Sequence, residues 1–302
     1  MVDFTDPMTY VTIALVALSP VIGGILMGID RRLTARMQSR MGPPLTQPFY
    51  DAIKLWGKEA FISSGLQPVL AFGYLGFSVA AFALLAFGQD MLLMIFTMGI
   101  ADLCLILAAF NSKSPYSNIG ARRELIGMLS YEPVLLLAAI SIYFVTGSFQ
   151  VGQIFNTHYP LLRYLPLTFL ALIPVLIIDM KKSPFDVSGS GHAHQELVRG
   201  VYTEFSGYTL ALIELGHWTK IALLLGFASL FWATNIPVFG VSIPWIIMGA
   251  IIAFALFFVV LVIDNSYPRL DWRTMVKTTW IVGFLLVIAN IAVIYAWVVI
   301  LS

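Results

Sequence analysis

The sequence has few charged residues and almost no cysteine, and each shortage excludes a class of protein. Only 11% of its 302 residues are charged and 59% are hydrophobic, whereas soluble domains carry about 25% charged residues. This composition indicates a membrane protein. The net charge of +1 predicts no nucleic-acid partner. The single cysteine, Cys104, cannot form an intrachain disulfide, an iron–sulfur cluster or a cysteine-based zinc site, so any electron-transfer centre is expected on another subunit.

The N-terminus lacks the basic region of a cleavable signal peptide. Asp3 and Asp6 precede the first apolar run, where a signal sequence would carry positive charge. We therefore expect the first apolar segment to remain as a membrane span.

Long apolar runs are abundant. A bilayer core needs about 20 apolar residues per helix, and eight stretches meet that requirement. They are residues 9–29, 67–88, 91–110, 132–149, 162–180, 207–231, 242–263 and 278–300. The sequence predicts an all-α integral membrane protein with eight transmembrane helices, forming a single membrane domain over residues 1–302.

The basic residues concentrate in alternate loops. With the N-terminus outside, the segments 30–66, 111–131, 181–206 and 264–277 face the cytoplasm and hold all but two of the 17 lysines and arginines. The exceptions are Arg163 and Lys220. Because basic loops stay on the cytoplasmic side, we predict this orientation in a cell (inner or plasma) membrane. No internal repeat of the kind found in many secondary transporters is evident, which argues against a free-standing transporter.

The first cytoplasmic segment predicts an amphipathic helix between the first two spans. Phe49, Ile53 and Trp56 recur at helical spacing, while Lys54 and Lys58 occupy another face. Such a helix is expected to lie along the membrane interface.

The second segment places Glu132 beside Pro133 at the predicted start of the fourth span. Pro133 suits a first helical turn and the helix dipole favours a carboxylate there, so a structural role explains Glu132 by itself. That role does not explain the nearby Arg122, Arg123 and Glu124, because charges at this depth normally pair or line water. A structural and a functional role both stay open for Glu132.

The third segment reads SPFDVSGSGHAHQELVRGVYTEFSG. If it forms a helix, Glu196 neighbours His192 and Arg199, and His192 and His194 point in opposite directions. In an extended chain the two histidines share a face and could bind a metal. No third ligand is fixed by the spacing, and HxH alone is a weak signal, so we predict no metal site.

Charged residues also interrupt the spans. Asp102 lies in the third span, and Glu214, His217 and Lys220 recur every three residues along the sixth. A buried acid and a lysine can be a neutralised structural pair. Carboxylates, histidine and lysine in series are also the groups of a proton relay. Asp179, at the end of the fifth span, is expected to be interfacial.

Three motifs in order resemble the NADH–quinone oxidoreductase chain 1 family, a membrane component of complex I. QSRMGPPLTQPFYDAIKLWGKE resembles the family's QxRxGPxxxQPxxDxxKLxxKE, and YSNIGARRELIGMLSYEP resembles its SNxKYxLLGxxRxxxQxxSYE. SPFD followed by ELVRGVYTEFSG resembles PFDxxExExELxxGxxTEYSG. With the eight spans, the resemblance covers nearly the whole chain.

The stretch VSGSGHAHQ departs from that pattern, being longer and carrying histidines in place of the first acids. This variant is similar to group 4 membrane-bound nickel–iron hydrogenases and their sulfur-reducing relatives. The resemblance implies a membrane anchor and ion-coupling subunit that holds no cofactor itself and links electron transfer from ferredoxin or formate to proton or sodium translocation. It implies hydrogenase large and small subunits on the cytoplasmic side, which hold the NiFe centre and the iron–sulfur clusters, and antiporter-like membrane subunits.

The resemblance also assigns residues. Glu132, Glu196 and Glu204 match acids of the family's polar path into the membrane, and Arg122 and Asp186 match its loop and interface residues. Together with the intramembrane groups, the predicted proton path comprises Glu132, Glu196, Glu204, Glu214, Asp102, His217 and Lys220. The predicted loop and interface residues are Arg122, Arg123, Asp186, His192, His194 and Arg199.

The alternative is that the chain lines a quinone or methanophenazine chamber in a complex I-like dehydrogenase, or belongs to a related sulfur-reducing complex. The loss of the acidic loop argues against the quinone role.

Overall fold

The computed structural model describes residues 7–155, 160–189, 197–232, 237–238, 241–242 and 245–301. The helices in these ranges are α1 (Pro7–Ala17), α2 (Ser19–Met37), α3 (Gln47–Trp56), α4 (Leu66–Ala86), α5 (Met91–Phe110), α6 (Pro115–Thr146), α7 (Val151–Ile154), α8 (Leu161–Tyr164), α9 (Pro166–Asp179), α10 (Gly207–Ser229), α11 (Trp245–Ser266) and α12 (Trp272–Leu301). Short 3-10 turns cover Gly200–Tyr202 and Leu230–Trp232, and a two-residue ribbon pairs β1 (Pro237–Val238) with β2 (Val241–Ser242).

Six described helices are long and apolar enough to cross a membrane: α4, α5, α6, α10 with its following turn, α11 and α12. Helices α1 and α2 form a pair bent by 49° that can supply a seventh crossing, and α9 is a shorter apolar helix. The predicted helical, multi-pass membrane protein is therefore confirmed. The first predicted span, residues 9–29, is divided between α1 and α2, because the chain bends between Ala17 and Ser19.

Helix α6 begins much earlier than predicted. Pro115 occupies its first turn, so Pro133 lies inside the helix rather than at its start. Most of the segment 111–131 is thus the first half of α6. The charged residues misled the prediction, because Glu124 does not face water but pairs with Lys181 from the loop after α9.

One side chain of α12 hydrogen-bonds the backbone groups at the break between α8 and α9. The Asn290 Oδ1 atom accepts a hydrogen bond from the Leu167 backbone N–H at 2.9 Å, and its Nδ2 donates to the Tyr164 carbonyl at 2.9 Å. Unsatisfied backbone groups are costly in an apolar medium. Asn290 therefore allows α8 and α9 to be separate helices.

Helix α10 is the central helix of the fold. Within its most apolar window 83% of the residues are buried, compared with 22% for α12. Gly23 of α2 packs directly on the Trp218 backbone of α10, leaving no space for a Cβ. Polar residues on α10 therefore face other helices rather than lipid.

Helix α3 confirms the predicted helix between the first two spans. Its apolar side chains do not all face the same surroundings, because one packs on the protein and others are exposed. Phe49 packs edge-to-face on Trp218, with ring centroids 5.6 Å apart. Ile53 and Trp56 are 69% and 57% exposed. Helix α3 is thus anchored on α10 by one aromatic residue and presents apolar side chains outward, as an interfacial helix does.

Candidate functional site

A lysine on the central helix joins carboxylates from two other helices. The Lys220 Nζ atom lies 2.5 Å from Asp102 Oδ1 of α5 and also hydrogen-bonds Asp179 at the end of α9. The Tyr131 hydroxyl of α6 donates to the other oxygen of Asp102. We call these four residues the buried lysine cluster; the lysine and both aspartate side chains are at most 4% exposed.

The charges of the buried lysine cluster do not cancel. Two carboxylates face one ammonium, so the cluster holds either a net negative charge or one additional proton. Removing ions from water costs several kcal/mol each unless pairing and hydrogen bonds compensate. Both oxygens of Asp102 are bonded, whereas Asp179 Oδ2 is buried without a hydrogen-bond partner among the described residues.

Glu132 of α6 reaches α5 one helical turn away from Asp102 of this cluster. Its carboxylate packs directly against Gly99 and occupies the position that a side chain there would take. Gly99 and Asp102 are three residues apart and therefore share a face of α5. Glycine at this position lets the Glu132 carboxylate approach α5.

A second cluster fastens the loop after α9 to α6. Lys181 Nζ lies 3.0 Å from Glu124 Oε1, with both side chains nearly buried, and it also hydrogen-bonds the Tyr202 hydroxyl. Ser188 donates to the other Glu124 oxygen. We call these four residues the loop lysine cluster.

Electrostatics keeps Lys181 of the loop lysine cluster ionised. Burial lowers the pKa of Lys181, but the Glu124 carboxylate and Tyr202 outweigh it and raise that pKa above its ordinary value. Burial raises the pKa of Tyr202 to about 12. Lys181 is therefore a fixed cation at neutral pH.

The next residue fastens the same loop on its other side. Lys182 Nζ lies 2.6 Å from Asp30 of α2 and 3.3 Å from Asp264 of α11. Asp264 also accepts a hydrogen bond from the Ser183 backbone N–H at 2.8 Å. The two acids outweigh the effect of burial and raise the pKa of Lys182. Adjacent lysines thus tie the loop to three helices.

Two adjoining cavities lie against this loop, with volumes of about 290 and 240 Å³. The larger is bordered by Asp51 and Lys54 of α3 and by Lys58 just after that helix. The smaller reaches Lys181 and His217. Both share four lining residues: Arg31, Arg199, Leu210 and Glu214.

The cavity wall continues into the buried lysine cluster along α10. Glu214 and His217 line the smaller cavity, and Lys220 follows three residues further along the helix. Residues at this spacing stand one above the other. A line of polar side chains therefore leads from the cavities to Lys220, Asp102 and the neighbourhood of Glu132.

Charged and polar side chains also fix Asp51, which lines the larger cavity. Arg31 lies 2.6 Å from Asp51, and Gln47 donates to its other oxygen at 3.0 Å. Partial burial raises the pKa of Asp51, but these bonds outweigh it and leave the pKa below its ordinary value.

The structure brings most of the predicted intramembrane groups together and leaves others apart. Glu204 interacts through its backbone carbonyl, which accepts a hydrogen bond from buried Gln67 at 2.8 Å. Arg122 is exposed on α6. Asp186 lines the smaller cavity and lies 3.9 Å from Arg269.

Arg199 lines both cavities, and Arg123 borders a small cavity beside Glu124. His192, His194 and Glu196 lie outside the described residues. Within the described ranges, no group of three or more His, Cys, Asp or Glu residues could hold a metal ion.

Sequence reasoning missed several members of the site. Asp179, expected only at the interface, is buried within the protein: it is 4% exposed and bonded to Lys220 of α10. Tyr131 was overlooked although it belongs to the SYE motif. Lys181 was treated only as a basic loop residue. An acid at the end of an apolar run was the available signal for Asp179, but sequence spacing does not reveal which lysine it meets.

The fold and the buried charges define a multi-helical membrane subunit built around an intramembrane ion cluster. A family profile described as NADH dehydrogenase matches residues 9–295, and the chain belongs to that family. Within the family it is a membrane component similar to chain 1 of complex I, as the sequence motifs predicted.

Relatives come from more than one kind of membrane oxidoreductase. Hydrogenase-4 component C of Escherichia coli (strain K12) is 30% identical over 285 residues, covering 86% of this chain and 87% of that protein. An NADH-quinone oxidoreductase subunit of Ehrlichia ruminantium (strain Gardel) is 28% identical over 315 residues, covering 90% and 85%.

A solved structure shares the fold. One chain of the membrane-bound sulfane sulfur reductase, an archaeal respiratory membrane complex, superposes with a TM-score of 0.82. The match covers 94% of this chain and 100% of that one at 23% identity. The same helical architecture therefore occurs in an oxidoreductase complex of a different kind.

Proposed function

We propose that the chain is the membrane anchor and ion-coupling subunit of a multisubunit energy-converting nickel–iron hydrogenase. It links electron transfer in a cytoplasmic redox module to the translocation of protons or sodium ions. The relationship to Hydrogenase-4 component C and the histidine-containing stretch VSGSGHAHQ support this choice within the family.

The proposal includes the partners. Hydrogenase large and small subunits dock on the cytoplasmic side and hold the NiFe centre and iron–sulfur clusters, while antiporter-like subunits adjoin in the membrane. Ferredoxin or a formate-linked donor supplies the electrons. This chain connects the hydrogenase subunits on the cytoplasmic side with the antiporter-like subunits in the membrane.

The topology completes the proposal. The bent α1–α2 pair and α9 join the six long helices to give eight crossings, with the N-terminus outside. The segments 30–66, 111–131, 181–206 and 264–277 then lie on the cytoplasmic side, although α6 contains much of the second. The cavities and the loop lysine cluster are thereby placed next to the redox module.

The observation that carries the proposal is the unequal charge around Lys220. Since Asp102 and Asp179 share one ammonium, the cluster can accept a proton and release it again while remaining paired. Glu214 and His217 bring protons from the cavity wall to this cluster, and Glu132 receives them beyond it. A change of charge in the docked module shifts the preference of Lys220 between its two aspartates.

Replacing Glu132 with Gln tests the path. In the whole complex reconstituted in liposomes, Glu132→Gln is expected to reduce ion translocation about tenfold or more, because the amide carries no proton. Electron transfer by the complex in detergent is expected to stay near the wild-type rate.

Asp271→Asn is the matched control for this experiment. Asp271 is exposed and its carboxylate accepts a local hydrogen bond from the Trp272 backbone at 2.8 Å, which asparagine can replace. Wild-type translocation by Glu132→Gln, with the control also normal, rules out the proposed path.

The two adjoining cavities favour one alternative function, a chamber for a quinone or methanophenazine head group in a complex I-like or sulfur-reducing complex. Their sizes of about 290 and 240 Å³ approach those of small-molecule sites, which start at about 300 Å³. Quinone-dependent turnover that quinone-site inhibitors block would support this alternative over the hydrogenase.

A further inference from the structure

A third and much smaller cavity lies between the two lysine clusters. Its volume is about 10 Å³. Glu124 and Ser188 of the loop lysine cluster line it together with Tyr131 and Asp179 of the buried lysine cluster. A cavity of this kind needs about 10–15 Å³ to hold one water molecule. The space therefore matches one water and touches both clusters.

The lining of this cavity includes two carboxylates that can hold a water molecule, those of Asp179 and Glu124. Asp179 uses one carboxylate oxygen for Lys220, and its other oxygen is buried without a hydrogen-bond partner in the described part of the chain. Leaving such an acceptor unbonded costs about 1–3 kcal/mol. Glu124 borders the same space, and buried waters are held by two to four polar partners of this kind.

We propose that this cavity is a specific site for one water molecule that bridges Asp179 and Glu124. The water donates one hydrogen to each carboxylate. Arg123, which also lines the cavity, donates a hydrogen bond to the water oxygen. The buried acceptor on Asp179 is thereby satisfied.

The bridging water gives protons a second route to the buried lysine cluster, and this part rests on the proposed function. When Glu124 is protonated, its O–H bond breaks as the proton passes to the water, and the water passes one of its own protons to Asp179. The water is regenerated, Glu124 becomes a carboxylate and Asp179 a carboxylic acid. This route avoids Glu214 and His217 and begins at Glu124 of α6, where the loop after α9 packs against that helix.

Gly127 offers a way to fill the site without disturbing its charges. It lies on the cavity wall, and a Cβ added there would meet only Ile178 Cγ2, at the ordinary contact distance of 3.7 Å. Gly127→Ala therefore adds a methyl group beside the cavity without a clash. Gly76→Ala is the matched control, because a Cβ at that position of α4 meets nothing within 4 Å.

The experiment compares cryo-electron microscopy maps of the whole complex, at a resolution that shows ordered water, for the wild type and both variants. Density for one water between Asp179 and Glu124 is expected in the wild type and in Gly76→Ala, and is expected to disappear in Gly127→Ala. A wild-type map without that density overturns the site, even if Gly127→Ala does not assemble.

Proton translocation by the same samples tests the relay. Gly127→Ala is expected to slow it by the share that this second route carries, while Glu214 and His217 supply the remainder and electron transfer in detergent continues; an unchanged rate with the water displaced overturns the relay. Failure of the proposed function gives a different result, namely normal translocation by Glu132→Gln. The water density in the maps does not depend on that outcome.

Discussion

At the scale of single residues, Lys220 decides whether two buried carboxylates are tolerated. Its ammonium is bonded to Asp102 and Asp179, and these side chains are almost inaccessible to solvent. Breaking a buried ion pair by removing one partner costs about 3–5 kcal/mol, because the other charge is left without compensation. Here the loss of one lysine would leave two such charges.

Lys220→Met is therefore expected to lower the free energy of unfolding by about 3–5 kcal/mol. Thermal denaturation of the purified complex measures the loss. Lys277→Met is the control, since Lys277 is exposed on α12 and its loss should have little effect. Equal melting temperatures for the two variants would contradict the assigned role of Lys220.

A triple variant separates stability from ion transport. Adding Asp102→Asn and Asp179→Asn to Lys220→Met removes all three charges, and an asparagine at 102 can still accept the Tyr131 hydroxyl. Most of the stability should return, while ion translocation should be lost because no carboxylate or ammonium group of the cluster remains to carry a proton. A triple variant that translocates ions would show that the cluster is only structural.

The sequence predicted the individual charges of this site better than their partners. Asp102 and Lys220 stand out because they interrupt apolar runs, and hydropathy alone detects them. The pairing of Lys220 with Asp179 depends on how α9 crosses α10, and nothing in the spacing of two residues on different helices records that crossing. Asp179 was for that reason assigned to the interface.

At the scale of helices, close approach between α2 and α10 positions the cavities. Gly23 contacts the Trp218 backbone and Gly24 contacts the Phe49 ring. Two consecutive glycines thus allow α2 to contact both α10 and α3. Helix α3 closes the larger cavity, so its volume depends on this contact.

Gly23→Ala is expected to push α2 away from α10, because the added Cβ would overlap the Trp218 carbonyl, and backbone cannot move aside as a flexible side chain can. Overpacking of this kind costs about 1–3 kcal/mol or more. The folded yield and melting temperature of the complex measure it. Gly76→Ala again provides the control, and equal stability of the two variants would exclude the close contact.

The helices themselves were largely predictable, whereas their ends were not. Hydropathy located the long spans because about 20 apolar residues leave few alternatives. The start of α6 was misplaced because Glu124 is neutralised by Lys181, a partner 57 residues away by sequence number. The division between α8 and α9 was missed because it depends on Asn290 of α12. Both errors arise because a tertiary contact, rather than water, satisfies the polar groups concerned.

At the scale of the whole molecule, the uneven distribution of basic residues predicts the side of the membrane on which the cavities open. The loop after α9 carries Lys181 and Lys182, and both lysines hold that loop against the helices. If basic loops are cytoplasmic, the cavities open toward the cytoplasm. The side on which this loop lies depends on whether the short helix α9 crosses the membrane.

Single cysteines on either side of α9 test that crossing. In a Cys104→Ala background, Gln150→Cys and Lys277→Cys place one thiol each at exposed positions before α9 and after α11. Three crossings, α9, α10 and α11, separate them in the proposed topology, so a membrane-impermeant maleimide on intact cells should label Gln150→Cys alone. Without a crossing by α9 only two remain, and both thiols would lie on the same side.

Lys113→Cys supplies the internal control for this labelling. It is exposed just before α6, and four crossings separate it from position 277, so both should react only after permeabilisation. Labelling of positions 150 and 277 together in intact cells would contradict the crossing by α9. Labelling of 113 and 277 but not 150 would invert the orientation, and the cavities would then open away from the cytoplasmic redox module.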